Sequence, residues 1–460
     1  MTESVAYRAI SYRRVVGIAL PVVLSNVTIP LQGAIDTVII GNLGQASYLA
    51  AVTLGAVMVS LLFSSFNFLQ TGASGLSAQA LGAGDFHRVL NTLARAIVIA
   101  LVIAALLNLM QLPLGSLLAL IFEASPGTEG MAVTYFLIVI WGAPAHLGNY
   151  ALIGWFTGQE MTRRLFELQL VTSITNIALN LLFVLGLGWG VEGVALGTAI
   201  AAYVGFAYGI WRARQRMREI APRGWRLDWG RILSRNELRQ VMVLNRDIFI
   251  RTILLVGGFA WIARLGSAQG DVVLAANGIL LQFLHISAYA LDGFAMAAET
   301  LVGQALGARS RSRLRRAVVV SSLTAFGLAF VVALAASLAS GMIVRGFTNV
   351  TEVRTVATAH VLWVSLLPIV SVWAFQFDGI FIGATEGRLM RNAMAISAGV
   401  FFPLAFVMTE VFGNHGLWAS VWVWMALRAG TLAWFYPVIE RRADGPVLVP
   451  AWNGTSVARD

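Results

Sequence analysis

Residues 15–84 form a stretch with a single acidic, basic or histidine side chain, the carboxylate of Asp36. A helix of about 20 apolar residues crosses the ~30 Å hydrocarbon core of a bilayer, so this stretch is long enough for more than one crossing. Charged residues make up only 12% of the whole chain, whereas soluble domains carry about 25%. The sequence therefore predicts an integral membrane protein.

Similar charge-poor runs recur along the rest of the chain, and each is long enough to cross a bilayer as a helix. They fall at roughly 15–40, 48–80, 89–114, 130–156, 165–187, 191–211, 240–262, 272–304, 317–344, 355–385, 393–411 and 416–438. The short alternating segments that a membrane β-barrel needs are not apparent. We predict an all-α membrane protein with twelve transmembrane helices.

Arginines concentrate in alternate loops, and the net charge is +10. Loops rich in Lys and Arg stay in the cytoplasm, so the pattern predicts a multi-pass protein of a bacterial-type inner membrane with both termini cytoplasmic. The first apolar run continues as a span without a cleavage site, which favours a retained helix over a signal peptide. We attribute the basic charge to this orientation and expect no nucleic-acid partner.

A 225-residue internal repeat divides the chain into two halves. "LSAQALGAGDFHRVL" from Leu76 is similar to "LVGQALGARSRSRLR" from Leu301, and "GWFTG" from Gly154 is similar to "GIFIG" from Gly379. Both pairs have the same offset, which indicates structural repeats. We therefore predict six-helix pseudo-symmetric lobes at 1–211 and 240–460, joined by a basic linker at 212–239, around a central cleft. Parallel repeats of this kind are typical of alternating-access transporters.

Placing a charged Asp36 at the bilayer centre costs about 2.5–3.5 kcal/mol of insertion free energy. A carboxylate in apolar surroundings binds a proton more readily than one in water, so Asp36 is a natural proton carrier. The alternative is a neutral carboxyl group that only hydrogen-bonds a neighbouring helix. Pro21 and Pro30 precede Asp36 in the same run, and each removes a backbone donor and favours a bend.

Asn176 and Asn180 are four residues apart and should share one face of the fifth helix. They could hold Asp36 or a water molecule beside it. They could equally form interhelical hydrogen bonds, which are common in membrane bundles and contribute about 1 kcal/mol. The residues alone leave both roles open.

The second half carries its own charged residues inside predicted spans. Asp292 and Glu299 are seven apart and lie on one face of helix eight, and Asp378 is isolated in the middle of helix ten. We interpret these three as candidates for a cation or substrate site. Asp247 and Arg251 are four apart and are expected to pair with each other, although Arg251 could instead reach Glu299 across the cleft.

Motifs for enzyme chemistry are missing from the sequence. It contains no Walker A, HExxH or G-x-S-x-G motif, no histidines at metal-ligand spacing and no cysteine, so we predict neither an enzyme nor a metal site. A non-transporting scaffold or receptor would not need carboxylates in its spans. A major-facilitator transporter would have an Asp- and Arg-rich loop after helix two, where this chain has "LGAGDFHRVL".

Several segments together resemble the multidrug and toxic compound extrusion (MATE) family, specifically its DinF-like branch. They are "IPLQGAIDTVIIGNLG", "ALGAGD", "LGWGVEGVALGTAIA", "NRDIFIRT" and "DGIFIGATEG". The resemblance implies export of amphiphilic, often cationic compounds, driven by protons or sodium. It also implies that Asp36 is the coupling carboxylate and Pro21 the hinge of the first helix.

The chain departs from the family pattern at Asn180, where proton-coupled members of this branch often have a second carboxylate. Asp378 matches the helix-ten aspartate of sodium-coupled members, but their helix-seven glutamate has no evident counterpart. We therefore predict a monomeric, cofactor-free antiporter in contact with membrane lipids. It would exchange amphiphilic or cationic compounds for protons, with sodium as the alternative coupling ion. The alternative is a flippase for lipids or lipid-linked saccharides, for which Arg251 is the only basic candidate in the cleft.

Overall fold

The computed structural model describes residues 9–41, 46–119, 125–220 and 227–443, and every regular element within these ranges is helical. The helices are α1 (Tyr12–Gly41), α2 (Ala46–Ser64), α3 (Phe68–Gly82), α4 (Phe86–Leu109), α5 (Gln111–Ala119), α6 (Pro126–Val139), α7 (Ala143–Gly158), α8 (Thr162–Asn180), α9 (Val191–Ile220), α10 (Trp229–Ile232), α11 (Arg235–Ser267), α12 (Asp271–Gly307), α13 (Arg311–Phe347), α14 (Thr351–Gly383) and α15 (Gly387–Arg442). A 3₁₀ turn (Ile140–Gly142) joins α6 to α7, and a π-helical segment (Leu181–Gly186) continues α8.

Within the described ranges, eleven helical stretches are long and apolar enough to cross a membrane. The last of them, α15, has 56 residues, and at 1.5 Å per residue it would extend about 84 Å, far beyond a bilayer core of ~30 Å. Gly413 interrupts it with φ 59° and ψ −141°, a conformation that suits glycine. Division at Gly413 gives twelve crossings, which confirms the predicted all-α architecture.

The twelve crossings form two six-helix lobes. In the first, α3 packs against α4 and α7, α2 against α6, and α8 against α9. In the second, α12 packs against α13 and α14, and α11 against α15. Between the lobes, α1 and α3 both pack against α12. The helix with Asp36 therefore lies at the boundary between the two lobes.

The predicted repeat is visible where the lobes meet. A Cβ atom added to Gly82 in α3 would lie 2.1 Å from the backbone oxygen of Gln304. A Cβ atom on Gly307 in α12, 225 positions after Gly82, would lie 2.0 Å from the backbone oxygen of Gln79. Neither position can hold a larger residue without separating α3 from α12. The two lobes are thus in direct backbone contact at the ends of these helices.

The turns that follow the repeated helices share the same offset. Glu160 and Thr385, 225 positions apart, both have φ 57°. Gly84 and Arg309, again 225 apart, have φ 69° and 49°. Left-handed residues that are not glycine are uncommon, so their repetition at one spacing is strong support for a structural repeat.

The segment between the lobes is partly helical. α9 continues as far as Ile220, and α11 begins at Arg235, so both helices extend into the predicted linker at 212–239. Residues 221–226 lie outside the described ranges. The predicted lobe limits at 211 and 240 stay a prediction.

Candidate functional site

Asp36 lies near the C-terminal end of α1 and faces α8. The side-chain amide of Asn180 donates a hydrogen bond of 2.7 Å to Asp36 Oδ1, and a second one of 3.3 Å to Asn176 Oδ1. Both asparagines are fully buried. The structure thus brings together the three residues that the sequence suggested, because Asn176 and Asn180 are on one face of α8 and that face packs against α1.

Further polar contacts surround this group. Asn176 Nδ2 donates to Thr198 Oγ1 on α9 at 3.0 Å, and Ser173 Oγ donates to Gln32 Oε1 on α1 at 3.0 Å. Gln32 is one turn before Asp36, so two consecutive turns of α1 are hydrogen-bonded to α8. These bonds fix the rotation of α1 around its own axis.

Asn180 has one buried acceptor to spare. Its Oδ1 atom has no hydrogen-bond partner among the described residues. A Cβ atom on Gly197 would lie 2.2 Å from this oxygen, so only glycine leaves room for the amide. A buried carbonyl oxygen without a donor is costly. Asn180 Oδ1 can accept a hydrogen bond from a protonated carboxyl group or from a water molecule.

Pro21 and Pro30 both lie inside α1, which remains helical through them. Proline lacks the N–H group that would bond to the preceding turn, so the helix is weaker at these points. Beyond Pro21, Asn26 Nδ2 donates to the backbone oxygen of Tyr289 on α12 at 3.2 Å. α1 is therefore tied to the other lobe in the segment between its prolines.

A second polar region lies around a cavity of about 280 Å³, which is lined mainly by the second lobe and also by Asn67, Gln70 and Thr71 of the first. Its lining includes Asp292, Glu299, Asp378 and Arg251, the charged residues that the sequence singled out there, together with apolar side chains such as Phe259. Asp36 is not among the described residues that line this cavity. The coupling candidate of the first lobe and the charged residues of the second are therefore separate sites.

Asp378 is held between two arginines. Arg251 pairs with its Oδ2 atom, and Arg428 Nη2 donates to the same oxygen at 2.8 Å. Arg428 is only 3% exposed, and its counter-ion compensates the cost of burying it. Arg428 is not among the residues predicted from the sequence, although its position within the apolar run 416–438 is a signal for a functional or structural charge.

The expected pairing of Asp247 with Arg251 is wrong. Asp247 accepts hydrogen bonds from Arg391 at 2.8 Å and from Arg246 at 2.9 Å. Arg251, one turn further along α11, points into the cavity and meets Asp378, and it does not pair with Glu299 either. The two residues share a helical face, but each finds a closer partner on a neighbouring helix.

Glu299 and Asp292 lie two turns apart on one face of α12, and both line the cavity. Glu299 is 3% exposed, and its Oε1 atom has no hydrogen-bond partner among the described residues. The structure thus brings both carboxyl groups to one cavity, as their seven-residue spacing suggested. An unpartnered oxygen there is available to a ligand, a proton or a water molecule.

Comparison with known proteins identifies the family. The sequence profile of the MatE family matches residues 21–182 and 248–407, one segment in each lobe. This chain belongs to the MATE family. Its members are transporters, and the two matched segments end 225 residues apart, at the offset of the repeat.

Relatives of the MATE protein match over nearly its whole length. The DNA damage-inducible protein F of Escherichia coli is 37% identical over 90% of each chain. A probable multidrug resistance protein NorM of Bradyrhizobium diazoefficiens is 28% identical over 91% of this chain and 90% of that one. A solved structure described as the outward-facing conformation of a multidrug resistance MATE family transporter superposes with a TM-score of 0.85. It is 17% identical and covers 97% of this chain and 99% of that one. The resemblance read from the motifs is confirmed.

Proposed function

We propose that this MATE protein is a secondary antiporter that exports amphiphilic or cationic compounds in exchange for protons, with Asp36 as the proton carrier. The observation that carries the proposal is the contact between Asp36 and Asn180. A half-buried carboxylate inside a membrane helix meets a neutral amide there. Among the described residues, no arginine or histidine forms an ion pair with Asp36. Its charge can therefore be removed by a proton and restored by its release.

The surroundings of Asp36 favour a proton over sodium. Hard cations are bound by several oxygen atoms that direct lone pairs at the ion. Asn180 instead directs its N–H group at Asp36 Oδ1. A proton needs only one oxygen of Asp36, and the free Oδ1 of Asn180 can accept a hydrogen bond from the protonated carboxyl group after a rotation of the amide.

Asp378 is a poor sodium ligand for a related reason. Two guanidinium groups, from Arg251 and Arg428, already occupy its Oδ2 atom. They supply fixed positive charges at the place where a coupling cation would have to bind. The role of Asp378 in cation coupling that was predicted from the sequence is therefore less favoured than a role in holding the two arginines.

The transport cycle uses the position of α1 between the lobes. Protonation of Asp36 removes a charge from α1 and alters its bonds to α8, and α1 then rearranges about Pro21. Coupling requires that the proton and the exported compound favour opposite conformations of the cleft. A cationic compound is attracted to an ionised carboxylate and not to a protonated one, which supplies this difference.

The cavity lined by Asp292 and Glu299 is the candidate substrate region. It combines apolar and aromatic walls with the carboxyl groups of Asp292 and Glu299, and three carboxylates outnumber two arginines around it. This composition suits an amphiphilic compound with a positive charge. If the arginine-rich loops face the cytoplasm, the contact between α3 and α12 closes the cytoplasmic side, and the cleft opens outward.

A flux assay in proteoliposomes tests the proposal. Export of a fluorescent cationic dye is driven in turn by an imposed pH gradient and by an imposed sodium gradient. The wild type is compared with Asp36→Asn and with Asp271→Asn, which makes the same chemical change at an exposed position. We expect flux with the pH gradient alone, lost in Asp36→Asn and retained in Asp271→Asn. Flux driven by sodium, or retained in Asp36→Asn, would overturn the assignment.

One observation supports the alternative function as a flippase: Arg428 lines the same cavity as Arg251, so the cavity has two arginines. Anionic lipid headgroups are recognised by arginines. Both guanidinium groups, however, are engaged by Asp378. The same vesicles decide between the two functions, since a flippase would transfer a fluorescent phospholipid between leaflets while leaving the dye gradient unchanged.

A further inference from the structure

A large open cavity of about 740 Å³ lies at the arginine-rich end of the protein, away from both sites described above. Four arginines from separate parts of the chain line it. Arg88 belongs to the first turn of α4 and Arg239 to the beginning of α11. Arg388 follows the turn between α14 and α15, and Arg442 ends α15. The cavity is therefore formed by both lobes.

The carboxylates of this cavity do not balance its arginines. Asp247 is already paired with Arg391, and Glu386 with Arg442. Within the part of the chain that the structure describes, the guanidinium groups of the other three arginines have no hydrogen bond or ion pair. These three are Arg88, Arg239 and Arg388. Three uncompensated positive charges thus surround one cavity.

The repeat supplies an internal reference for this arrangement. The residues 225 positions before Arg239 and Thr385 are Arg14 and Glu160. In the first half, Arg14 forms an ion pair with Glu160 and also donates to Gln304 at 3.1 Å. In the second half, a threonine replaces that glutamate. An arginine that is neutralised by the protein in one lobe therefore has no protein anion in the other.

We propose that the arginines of this cavity bind a phosphate group, carried by an anionic phospholipid or present as the free ion. Guanidinium groups form paired hydrogen bonds to phosphate oxygens and are the preferred phosphate ligands of proteins. The wall between the arginines combines the apolar side chains of Leu76, Val243 and Leu244 with polar ones such as Gln79 and Gln240. The polar side chains suit the glycerol of a lipid and the apolar ones its first acyl carbons, so the phospholipid is the expected source.

The positive-inside rule explains why arginines are frequent in these loops. It does not account for three of them around a single cavity without carboxylate partners. A variant that removes the same charge elsewhere separates the two explanations. The cavity variant is Arg88→Gln, Arg239→Gln and Arg388→Gln combined. The matched control combines Arg163→Gln, Arg218→Gln and Arg441→Gln, three exposed arginines that do not line this cavity.

Two probes distinguish the sources of phosphate, both with the full-length protein in nanodiscs. Native mass spectrometry counts the phosphatidylglycerol retained from discs that contain phosphatidylcholine with a minor fraction of phosphatidylglycerol. Calorimetry measures the binding of inorganic phosphate in discs of phosphatidylcholine alone. We expect phosphatidylglycerol retention to fall about tenfold or more in the cavity variant and little in the control, the scale of losing hydrogen bonds to a charged group.

If calorimetry shows binding of inorganic phosphate, and only the cavity variant loses it, the site belongs to the free ion. Equal losses in both variants, or no loss in either, would overturn the proposal. Thermal unfolding in phosphatidylcholine discs shows whether the variants are folded. If the triple cavity variant is not, Arg239→Gln alone is used, with about threefold weaker retention expected and Arg218→Gln as its control.

Discussion

Arg428 donates a hydrogen bond of 2.8 Å to Asp378, joining α15 to α14 in the interior of the second lobe. Arg251 on α11 reaches the same carboxylate oxygen. One carboxylate thus connects three helices of the lobe and is the shared counter-ion of two guanidinium groups. These three residues hold the helices of the lobe together and also line the cavity.

Replacing Asp378 with asparagine should strongly destabilise the protein. The change leaves two guanidinium groups in the interior without a counter-ion, and breaking a buried ion pair in this way costs about 3–5 kcal/mol. Thermal unfolding of the purified protein measures the effect, with Asp271→Asn as an exposed control that should unfold like the wild type. A variant as stable as the control would contradict the role of Asp378 as the shared counter-ion.

Gly197→Ala should impair transport although it adds only one methyl group. The new Cβ atom would lie 2.2 Å from Asn180 Oδ1 and must displace the amide that donates to Asp36. We expect dye flux driven by a pH gradient to fall about tenfold, the scale of one hydrogen bond to a charged group. Gly327→Ala is the control, because no atom lies within 4 Å of its Cβ position. Unchanged flux in Gly197→Ala would show that the Asp36–Asn180 contact is dispensable.

Arg14→Gln should loosen the contact between the lobes at the arginine-rich end. It removes the ion pair with Glu160 and weakens the link to Gln304 on α12. The chain has no cysteine, so one cysteine can be placed at Ala83, a partly buried position next to Gly307. We expect its labelling by a hydrophilic maleimide to become about threefold faster, since a partly buried ion pair contributes on the order of 1 kcal/mol.

The control for the Arg14 variant is Arg163→Gln in the same cysteine background. Arg163 is 88% exposed and pairs with Glu167 at the surface, where ion pairs contribute little. Its labelling rate should match that of the parent. If both variants label at the parental rate, the ion pair of Arg14 with Glu160 does not help to close this end.

Much of the architecture could be predicted from the sequence, because the bilayer requires long apolar helices and the repeat fixes their order. The environment of Asp36 could also be anticipated, since an isolated carboxylate in an apolar run needs a polar partner. The partners of Arg251 could not. A four-residue spacing shows that two side chains share a helical face, but not which neighbouring helix that face meets. Asp247 meets α15 there and Arg251 meets the cavity, which only tertiary packing determines.

Glu386 gives the protein a pH-dependent stability outside its membrane spans. Burial raises the pKa of its carboxyl group above the ordinary value, although Arg442 lies beside it. A raised pKa means that the stability due to this group is fully present at acidic pH and is lost as the pH rises through the raised value. Glu386→Gln should remove this loss.

The melting temperature recorded from about pH 4 to pH 8 tests whether stability falls as the pH rises. Relative to Glu386→Gln, the wild type should lose stability as the pH increases over that window. The exposed Glu352→Gln serves as the control and should follow the wild type. A wild type that gains stability relative to Glu386→Gln as the pH rises would mean that the ion pair with Arg442 outweighs burial.

If Asp36 exchanges a proton for the exported compound, substrate binding must release that proton. Purified protein in a weakly buffered solution with a pH-sensitive dye receives a saturating amount of a cationic substrate. We predict release of about one proton per wild-type molecule, the same release from Asp271→Asn, and none from Asp36→Asn. Undiminished release from Asp36→Asn, with substrate still bound, would show that Asp36 is not the proton carrier and would move the proton site to the second-lobe carboxylates Asp292 and Glu299.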